Sequence, residues 1–159
     1  MSNVRIAYDT FQKTAPGVRD ALLAMGKTAD DSGFDKEIVE LAKLRVSQIN
    51  NCAFCLQIHL NVSRKLGVPQ EKLDLVATWH EAGIFSEKEC AALAWAETLT
   101  RLADRSVPDG AYDAVRKHFS EDEVIALSVA IANINAWNRL GAAFRFAPPI
   151  QKKVAAAAA

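Results

Sequence analysis

The sequence contains few of the residues that interrupt helices. Its 159 residues include only 7 glycines and 5 prolines. No stretch of useful length alternates between apolar and polar side chains, which is the pattern of a strand with one buried face. These absences argue against a β-rich fold and predict an all-α protein whose helices are joined by short connections.

The chain also lacks an excess of either charge. Lysine and arginine together number 19, and aspartate and glutamate together also number 19. Proteins that bind nucleic acid through its phosphates need a basic surface. The balanced composition therefore predicts no nucleic-acid partner.

Long apolar runs are missing as well. The N-terminal residues Met1 to Ile6 contain no run of signal-peptide length, and no later segment is long enough to span a bilayer. We therefore expect a cytoplasmic protein with no membrane partner. In a reducing compartment, a Cys-x-x-Cys pair is more often catalytic or metal-binding than a structural disulfide.

Apolar side chains, in contrast, are abundant and make up 50% of the residues. This share is high for a small domain and indicates a buried contact between subunits, although a dense helical core would also account for it. We assign residues 1–150 to a single helical domain. Residues 151–159 form a low-complexity, alanine-rich tail without a functional pattern.

Helical periodicity and capping residues predict seven helices along this domain. Two of them begin with a capping box, in which a serine and a glutamate three residues later satisfy free backbone amides, at Ser86 and Ser120. The run from Val124 to Ala132 is apolar almost all round and is expected to be buried on most sides. The predicted helices cover Pro16 to about Thr28, Phe34 to Gln48, Asn51 to Leu66, Gln70 to His80, Ser86 to about Ala103, Pro108 to about Phe119 and Ser120 to Ala143.

The stretch from Glu40 to His59 gathers the reactive side chains. Asn50-Asn51 interrupts the helical pattern, because asparagine tolerates a left-handed conformation at a helix end and caps the helix that follows. Cys52 is therefore placed at, or one residue inside, a helix N-terminus. The dipole and free amides at that end favour a thiolate, so Cys52 should have a lowered pKa, and Cys55 is a second candidate for one.

Residues three and four apart on a helix are neighbours, so Cys52, Cys55 and His59 share one face. An imidazole there can accept the proton of a thiol and hold it near the sulfur. Glu40 lies on the preceding helix, at about the same depth as His59 if the two helices form an antiparallel hairpin. Its carboxylate would then orient His59, directly or through a water. The helix end favours Cys52 as the attacking thiol, whereas proximity to His59 favours Cys55.

The order Glu40, eleven residues, Cys52-x-x-Cys55, three residues and His59 resembles the signature of the carboxymuconolactone decarboxylase superfamily, in its alkylhydroperoxidase D (AhpD)-like branch. The Leu-Arg-Val-Ser-Gln-Ile-Asn-Asn-Cys lead-in is similar too. The resemblance implies an all-helical, AhpD-like fold built around the hairpin. It also implies a homo-oligomer, trimeric or hexameric, that reduces hydroperoxides through the cysteine pair.

By the same resemblance, Cys55 would be the peroxidatic cysteine and Cys52 the resolving one. Glu40 and His59 would form a proton relay. An external dithiol, lipoyl or thioredoxin-like, would restore the thiols, and no cofactor or metal would be needed. Characterised peroxidases of this family often carry a second histidine between the cysteines, where this chain has the dipeptide Ala53-Phe54, so the implied relay is shorter.

Other functions fit the same residues. The two thiolates and His59 supply three of the four ligands that zinc requires, and Glu40 or a residue of a partner would complete a structural site. A redox-responsive sensor, in which a disulfide changes assembly without significant peroxidase turnover, is a further alternative, as is a pair of small buried hydrophobes. The decarboxylase branch is a weaker alternative, because its chemistry does not need the cysteine pair.

Several residues outside the motif are set aside. Cys90 falls in an apolar helix and is expected to be packed and inert. His80 and His118 lie near predicted helix C-termini, where the dipole stabilises a histidine without any catalytic duty. Whether the stretch Trp137-Asn138-Arg139 lies beside the site is left open by the sequence.

Overall fold

The structure, a computed structural model, describes residues 3–103 and 106–150. Within these ranges it contains helices and no strands, which confirms the predicted all-α class. The alanine-rich tail predicted for residues 151–159 lies outside the described residues. The helices are α1 (Tyr8–Thr14), α2 (Pro16–Asp31), α3 (Lys36–Ile49), α4 (Ala53–Leu66), α5 (Gln70–Leu75), a 3₁₀ turn (Val76–Thr78), α6 (Trp79–Ala82), α7 (Glu87–Thr100), α8 (Asp109–Arg116) and α9 (Glu121–Phe144).

Helix α3 lies at the centre and packs against α4, α7 and α9. Its residues from Ile38 to Leu44 are all buried, so the helix presents no solvent face over these two turns. The buried stretch includes two charged side chains, those of Glu40 and Lys43. Because burial of an unpaired charge is costly, both groups must find partners inside the protein.

Helices α3 and α4 form the antiparallel hairpin that the sequence predicts. The side chain of Asp35 begins α3 by accepting the backbone amides of Glu37, at 2.9 Å, and Ile38, at 3.4 Å. Helix α4 ends at Gly67, whose φ of 91° is left-handed and suits glycine. Local capping therefore sets where α3 begins and where α4 ends, and so the length over which the two helices lie side by side.

Both predicted capping boxes are present, at Ser86 with Glu89 and at Ser120 with Glu123. The predicted helix from Gln70 to His80 is instead divided by the 3₁₀ turn. In a 3₁₀ turn, residues three apart lie above one another. The tighter winding brings Val76 and Trp79 onto the same side, and both are buried.

Helix α1 was not predicted, because its seven residues carry little apolar periodicity. Tertiary contacts hold it in place. Phe11 is buried, and its ring lies 5.6 Å from that of Phe146 and 6.3 Å from that of Trp137. The backbone amides of Arg5 and Ile6 also donate to the carbonyl of Phe144.

The apolar run of helix α9 is buried on most sides, as predicted. Val124, Leu127 and Ile131 point into the core, but the side of the run that carries Ile125 and Ala132 is exposed. Ile125 alone is 55% exposed. The helix packs on α2, α3, α4, α7 and α8. The predicted contact between subunits stays a prediction.

In the described part of the chain, no helix combines the length and apolar character required to cross a bilayer.

Candidate active site

The turn between α3 and α4 places the first cysteine. Asn51 has a φ of 52°, which confirms the left-handed break expected at Asn50-Asn51. The amide of Cys52 then donates to the carbonyl of Ser47, at 3.0 Å, and closes the end of α3. Cys52 is the N-cap of α4, and its sulfur accepts the backbone amide of Cys55 at 3.4 Å. The predicted position of Cys52 at a helix N-terminus is confirmed.

This position favours a thiolate at Cys52. A hydrogen bond from the Cys55 thiol is the largest effect and lowers the pKa of Cys52. Burial opposes it, while the backbone amides of Phe54 and Cys55 and the side chain of Asn138 add to it. Together they lower the pKa of Cys52 to about 7, so a large share of the protein carries this thiolate at neutral pH.

Cys55 behaves in the opposite way, and the idea that it shares the lowered pKa is wrong. Its thiol donates to the Cys52 sulfur, and this bond raises the pKa of Cys55; burial and the charge of the Cys52 thiolate raise it further. Two thiols in contact lose their protons in turn, because a second negative charge beside the first is unfavourable. When Cys52 is ionised, the pair therefore holds one proton, on Cys55.

Gly141 of α9 lies directly against both sulfurs. A Cβ atom at this position would lie 2.7 Å from the Sγ of Cys52 and 3.3 Å from the Sγ of Cys55. Real Cβ atoms do not approach sulfur so closely, so only glycine lets α9 pack this tightly onto the start of α4. Both cysteine sulfurs therefore pack against the same residue, Gly141.

Asn138, one turn before Gly141, is completely buried and links the turn to the thiols. Its carbonyl oxygen accepts the side-chain amide of Asn50 at 2.9 Å, and its own amide donates to the Oγ of Ser47 at 3.2 Å. The same side chain lowers the pKa of both cysteines by hydrogen bonding. The structure thereby places Asn138 beside the site, a question that the sequence left open.

Glu40 and His59 meet directly across the hairpin. The Nδ1 atom of His59 lies 2.7 Å from Oε2 of Glu40, and the two side chains are 15% and 7% exposed. Burial raises the pKa of Glu40, but hydrogen bonds and charges from His59 and Lys43 outweigh it and hold the pKa below its ordinary value. An ionised Glu40 can only accept, so Nδ1 of His59 carries the hydrogen and Nε2 is left to exchange a proton.

Lys43 is the second partner of Glu40 and is not among the predicted site residues. Its Nζ lies 2.9 Å from Oε1 of Glu40 and 3.8 Å from Oδ1 of Asp30, on α2. The side chain of Lys43 is only 10% exposed. The signal that could have found it is a lysine one turn after Glu40 within a helix segment that is otherwise apolar.

A cavity of about 230 Å³ opens between α1, α2, α3, α4 and α9. Cys55 and His59 reach it from α4, and Lys43 reaches it from α3. Cys52 is buried behind Cys55 and is not part of the wall. The other lining residues are largely apolar: Tyr8, Leu22, Leu23, Gly26, Asp30, Phe54, Ile58, Asn133, Ile134 and Trp137.

The model of the carboxymuconolactone decarboxylase family matches residues 16–98, more than half of the chain. The chain belongs to this family. The membership predicted from the order of Glu40, the cysteine pair and His59 is confirmed. The matched segment contains the whole α3–α4 hairpin and the residues of α2 that line the cavity.

Two relatives support an AhpD-like member of the family. The uncharacterized protein YdfG of Bacillus subtilis is 34% identical over 134 residues, covering 84% of this chain and 91% of that protein. A crystal structure of a protein of unknown function from Agrobacterium tumefaciens, described as a candidate antioxidant defence protein AhpD, is 35% identical, with a TM-score of 0.87. The match covers 94% of this chain and all of that one.

The same fold occurs in a more distant protein. The structure of the debrominase Bmp8 gives a TM-score of 0.77 at 20% identity, over 86% of this chain and 74% of that one. At this identity the likeness extends to the fold alone. The carboxymuconolactone decarboxylase fold therefore carries more than one chemistry, and the site must be argued from its own side chains.

A metal site is poorly supported in this member of the family. Across residues 3–103 and 106–150, no group of three or more His, Cys, Asp or Glu side chains is arranged to hold a metal ion. The zinc alternative needed Glu40 or a residue of a partner as the fourth ligand, and both oxygens of Glu40 are engaged, by His59 and Lys43. The donors of the hairpin are paired with one another instead.

The residues set aside from the sequence lie away from this cavity. Cys90 is partly buried on α7, where burial and the nearby Glu89 raise the pKa of its thiol, so it is poorly suited to attack. His80 stacks on Trp79, with ring centroids 3.7 Å apart. Neither His80 nor His118 lines the cavity.

Proposed function

We propose that the protein is a thiol-dependent peroxidase that reduces hydroperoxides through a dithiol–disulfide cycle of Cys55 and Cys52. The observation that carries the proposal is that Cys55 and His59 line one cavity, while the Cys52 sulfur lies behind Cys55, in hydrogen-bonding contact with it. A nucleophile, a base and a resolving thiol are thus available to a substrate of that cavity.

Access and acidity favour different cysteines, and access decides the first step. Cys52 is the more acidic thiol, but it does not reach the cavity. Cys55 reaches the cavity but holds its proton. A peroxide must touch the sulfur that attacks it, so Cys55 is the peroxidatic residue and its proton must leave as the reaction begins.

His59 takes that proton. Its Nδ1 donates to Glu40, so Nε2 accepts the hydrogen of the Cys55 thiol, and Glu40 stabilises the imidazolium that forms. The Cys55 thiolate attacks the terminal oxygen of the hydroperoxide. The S–O bond forms as the O–O bond breaks, and the departing alkoxide takes the proton from His59 and leaves as an alcohol. Cys55 is then a sulfenic acid.

Cys52 completes the oxidation. Its thiolate attacks the Cys55 sulfur, an S–S bond forms, and hydroxide leaves and takes a proton from solvent to become water. The two electrons that reduced the peroxide have come from the two thiols. An external dithiol reduces the disulfide, is itself oxidised to a disulfide, and returns Cys52 and Cys55 to their starting state.

Peroxide consumption with a dithiol reductant tests the proposal. Cys55→Ser and Cys52→Ser are each expected to abolish turnover, while Cys90→Ser keeps the wild-type rate. Under limiting peroxide, Cys52→Ser should still be oxidised once, at Cys55, because attack does not need the resolving thiol. Full turnover by Cys55→Ser would sink the assignment. Negligible turnover of the wild type, together with a change in oligomer size on oxidation, would replace it with the redox-sensor alternative.

A further inference from the structure

Glu40 uses its two oxygens for two different partners. Oε2 contacts Nδ1 of His59, and Oε1 contacts Nζ of Lys43 at 2.9 Å. On the far side of Lys43, Oδ1 of Asp30 lies 3.8 Å from the same ammonium. Four side chains therefore form one row from the rim of the cavity to the base: Asp30, Lys43, Glu40 and His59.

The buried carboxylate of Glu40 needs a positive charge beside it. Two groups can provide one: the ammonium of Lys43, or His59 in its protonated, imidazolium form. If His59 provides the charge, its Nε2 carries a hydrogen and cannot accept one from a thiol. If Lys43 provides it, His59 can stay neutral while its Nδ1–H still donates to Glu40.

We propose that Lys43 is a positioning residue: it supplies the positive charge that Glu40 needs, opposes protonation of His59, and so keeps Nε2 of His59 available to accept the Cys55 proton. This inference rests on the proposed function, because it concerns the availability of His59 to take the Cys55 proton. It explains why an ammonium lies in the most buried stretch of α3, where an apolar side chain would otherwise be expected. An ion pair between residues three apart on a helix forms as well on the surface as in the core, so pairing alone does not explain why Lys43 is buried.

The other charges around the site fit this arrangement. From α2, Asp30 faces Lys43, and its side chain is 51% exposed. From α4, Cys55 faces the cavity with Cys52 behind it, and the pair carries one negative charge when Cys52 is ionised. Helix α9 contributes Asn133, Ile134 and Trp137 to the wall, none of which is charged. With two carboxylates and a thiolate nearby, His59 would bind a proton readily without the opposing charge of Lys43.

Titration of His59 tests the inference in the reduced protein without peroxide. The ring resonances of the three histidines are followed by NMR against pH and assigned with His59→Gln. In Lys43→Met, the midpoint of the His59 titration is expected to move upward by about one pH unit, since a nearby positive charge has been removed. Lys43→Arg should keep the wild-type midpoint. In Asp30→Asn the midpoint should move slightly downward, because a negative charge has been removed.

Lys72→Met is the matched control. Lys72 pairs with a buried glutamate, Glu89, at 2.6 Å, but in a different part of the molecule. It should lower stability without moving the His59 midpoint. An unchanged midpoint in a folded Lys43→Met protein would overturn the inference. If Lys43→Met does not fold, the neutral and polar Lys43→Gln takes its place, and an unchanged midpoint in that variant would equally overturn the inference.

These outcomes are separable from those of the proposed function. The midpoint reports charge balance at His59 whether or not the protein turns over peroxide. A shifted midpoint in a protein that does not consume hydroperoxide would support the role of Lys43 in setting the His59 charge and would reject the peroxidase itself.

Discussion

The Nδ1 atom of His59 and the Oε2 atom of Glu40 lie 2.7 Å apart, although the two residues are nineteen positions apart in the sequence. The contact joins α4 to the buried centre of α3. It fixes the hydrogen of the imidazole on Nδ1, because the ionised carboxylate can only accept. Nε2 of His59 is therefore the nitrogen that can exchange a proton. The contact with Glu40 holds this base in a defined position.

Glu40→Gln should slow the reaction of the thiols with peroxide. The amide cannot stabilise an imidazolium, so His59 becomes a weaker base for Cys55. We expect the rate of disulfide formation at neutral pH to fall by roughly 10²-fold, the lower end of what general acid–base catalysis contributes. Stopped flow measures this rate, and the shape of the rate-versus-pH profile should change as well.

Glu37→Gln is the control for this variant, since Glu37 lies on the exposed start of the same helix. It should leave both the rate and the profile unchanged. A Glu40→Gln profile that coincides with the wild-type one would remove Glu40 from the relay.

Asn138→Ala should raise the pKa of Cys52 above its value of about 7. The variant removes an amide that hydrogen-bonds both sulfurs, and it takes one hydrogen bond each from Ser47 and Asn50, which keep their bonds to the Lys43 carbonyl and to Asn135. The ultraviolet absorbance of the thiolate, followed against pH, measures the shift. Unfolding in urea should show a loss of about 1–3 kcal/mol in the free energy of unfolding.

Asn61→Ala serves as the comparison for Asn138→Ala. Asn61 also makes side-chain hydrogen bonds, to Gln57 and to the carbonyl of Pro149, but outside the thiol site. Its thiolate titration should match that of the wild type. If the Asn138→Ala titration matches as well, Asn138 has no part in setting the Cys52 pKa.

Gly141→Ala should disturb the cysteine pair. Its Cβ would lie 2.7 Å from the Cys52 sulfur, so either α9 or the start of α4 must move. Overpacking of this kind costs about 1–3 kcal/mol, and the displaced sulfurs should form a disulfide more slowly. Gly110→Ala, on α8, has no atom within 4 Å of the added carbon and should be neutral or slightly stabilising. Equal stability and equal disulfide rates in the two variants would contradict the packing argument.

Glu97 makes stability depend on acid pH. Burial raises the pKa of its carboxyl, but hydrogen bonds from Trp79 and Arg45 and the charges of Arg45 and Arg101 outweigh it and lower the pKa below the ordinary 4.5. The stabilisation is complete above 4.5 and is lost as the pH falls through the lower folded value. Glu97→Gln should therefore cost about 1–3 kcal/mol at neutral pH and less in acid.

Urea unfolding at neutral and acid pH measures this difference. The exposed Glu81→Gln, a few residues from Trp79, should leave the free energy of unfolding unchanged at both. A constant difference between wild type and Glu97→Gln across this range would show that the charge of Glu97 contributes nothing to the pH dependence.

The sequence was sufficient for the hairpin because its determinants are local. Asparagine at Asn51, the N-cap at Cys52 and the spacing to His59 all act within a few residues of one another. The two capping boxes could also be predicted, because each depends on residues three positions apart. If the two helices pair in an antiparallel hairpin, Glu40 and His59 lie at similar distances from the turn. Their contact could therefore be predicted from the sequence.

The rest of the site depends on packing between distant segments. Asn138 and Gly141 reach the thiols only because α9 crosses the start of α4, and no local pattern marks a glycine as the one that touches sulfur. Helix α1 was missed because its place is set by Phe11 in the core. The order of acidity of the thiols could not be predicted either, since it depends on which sulfur donates to the other.

Intact mass under denaturing conditions tests the central claim most directly. The reduced protein and its Cys90→Ser variant are measured before and after one equivalent of an organic hydroperoxide. The account predicts that both lose two hydrogens and that peptide mapping joins Cys52 to Cys55. No change in mass, or oxidation confined to Cys90, would contradict it, because the cysteine pair would then not be the group that reduces the peroxide.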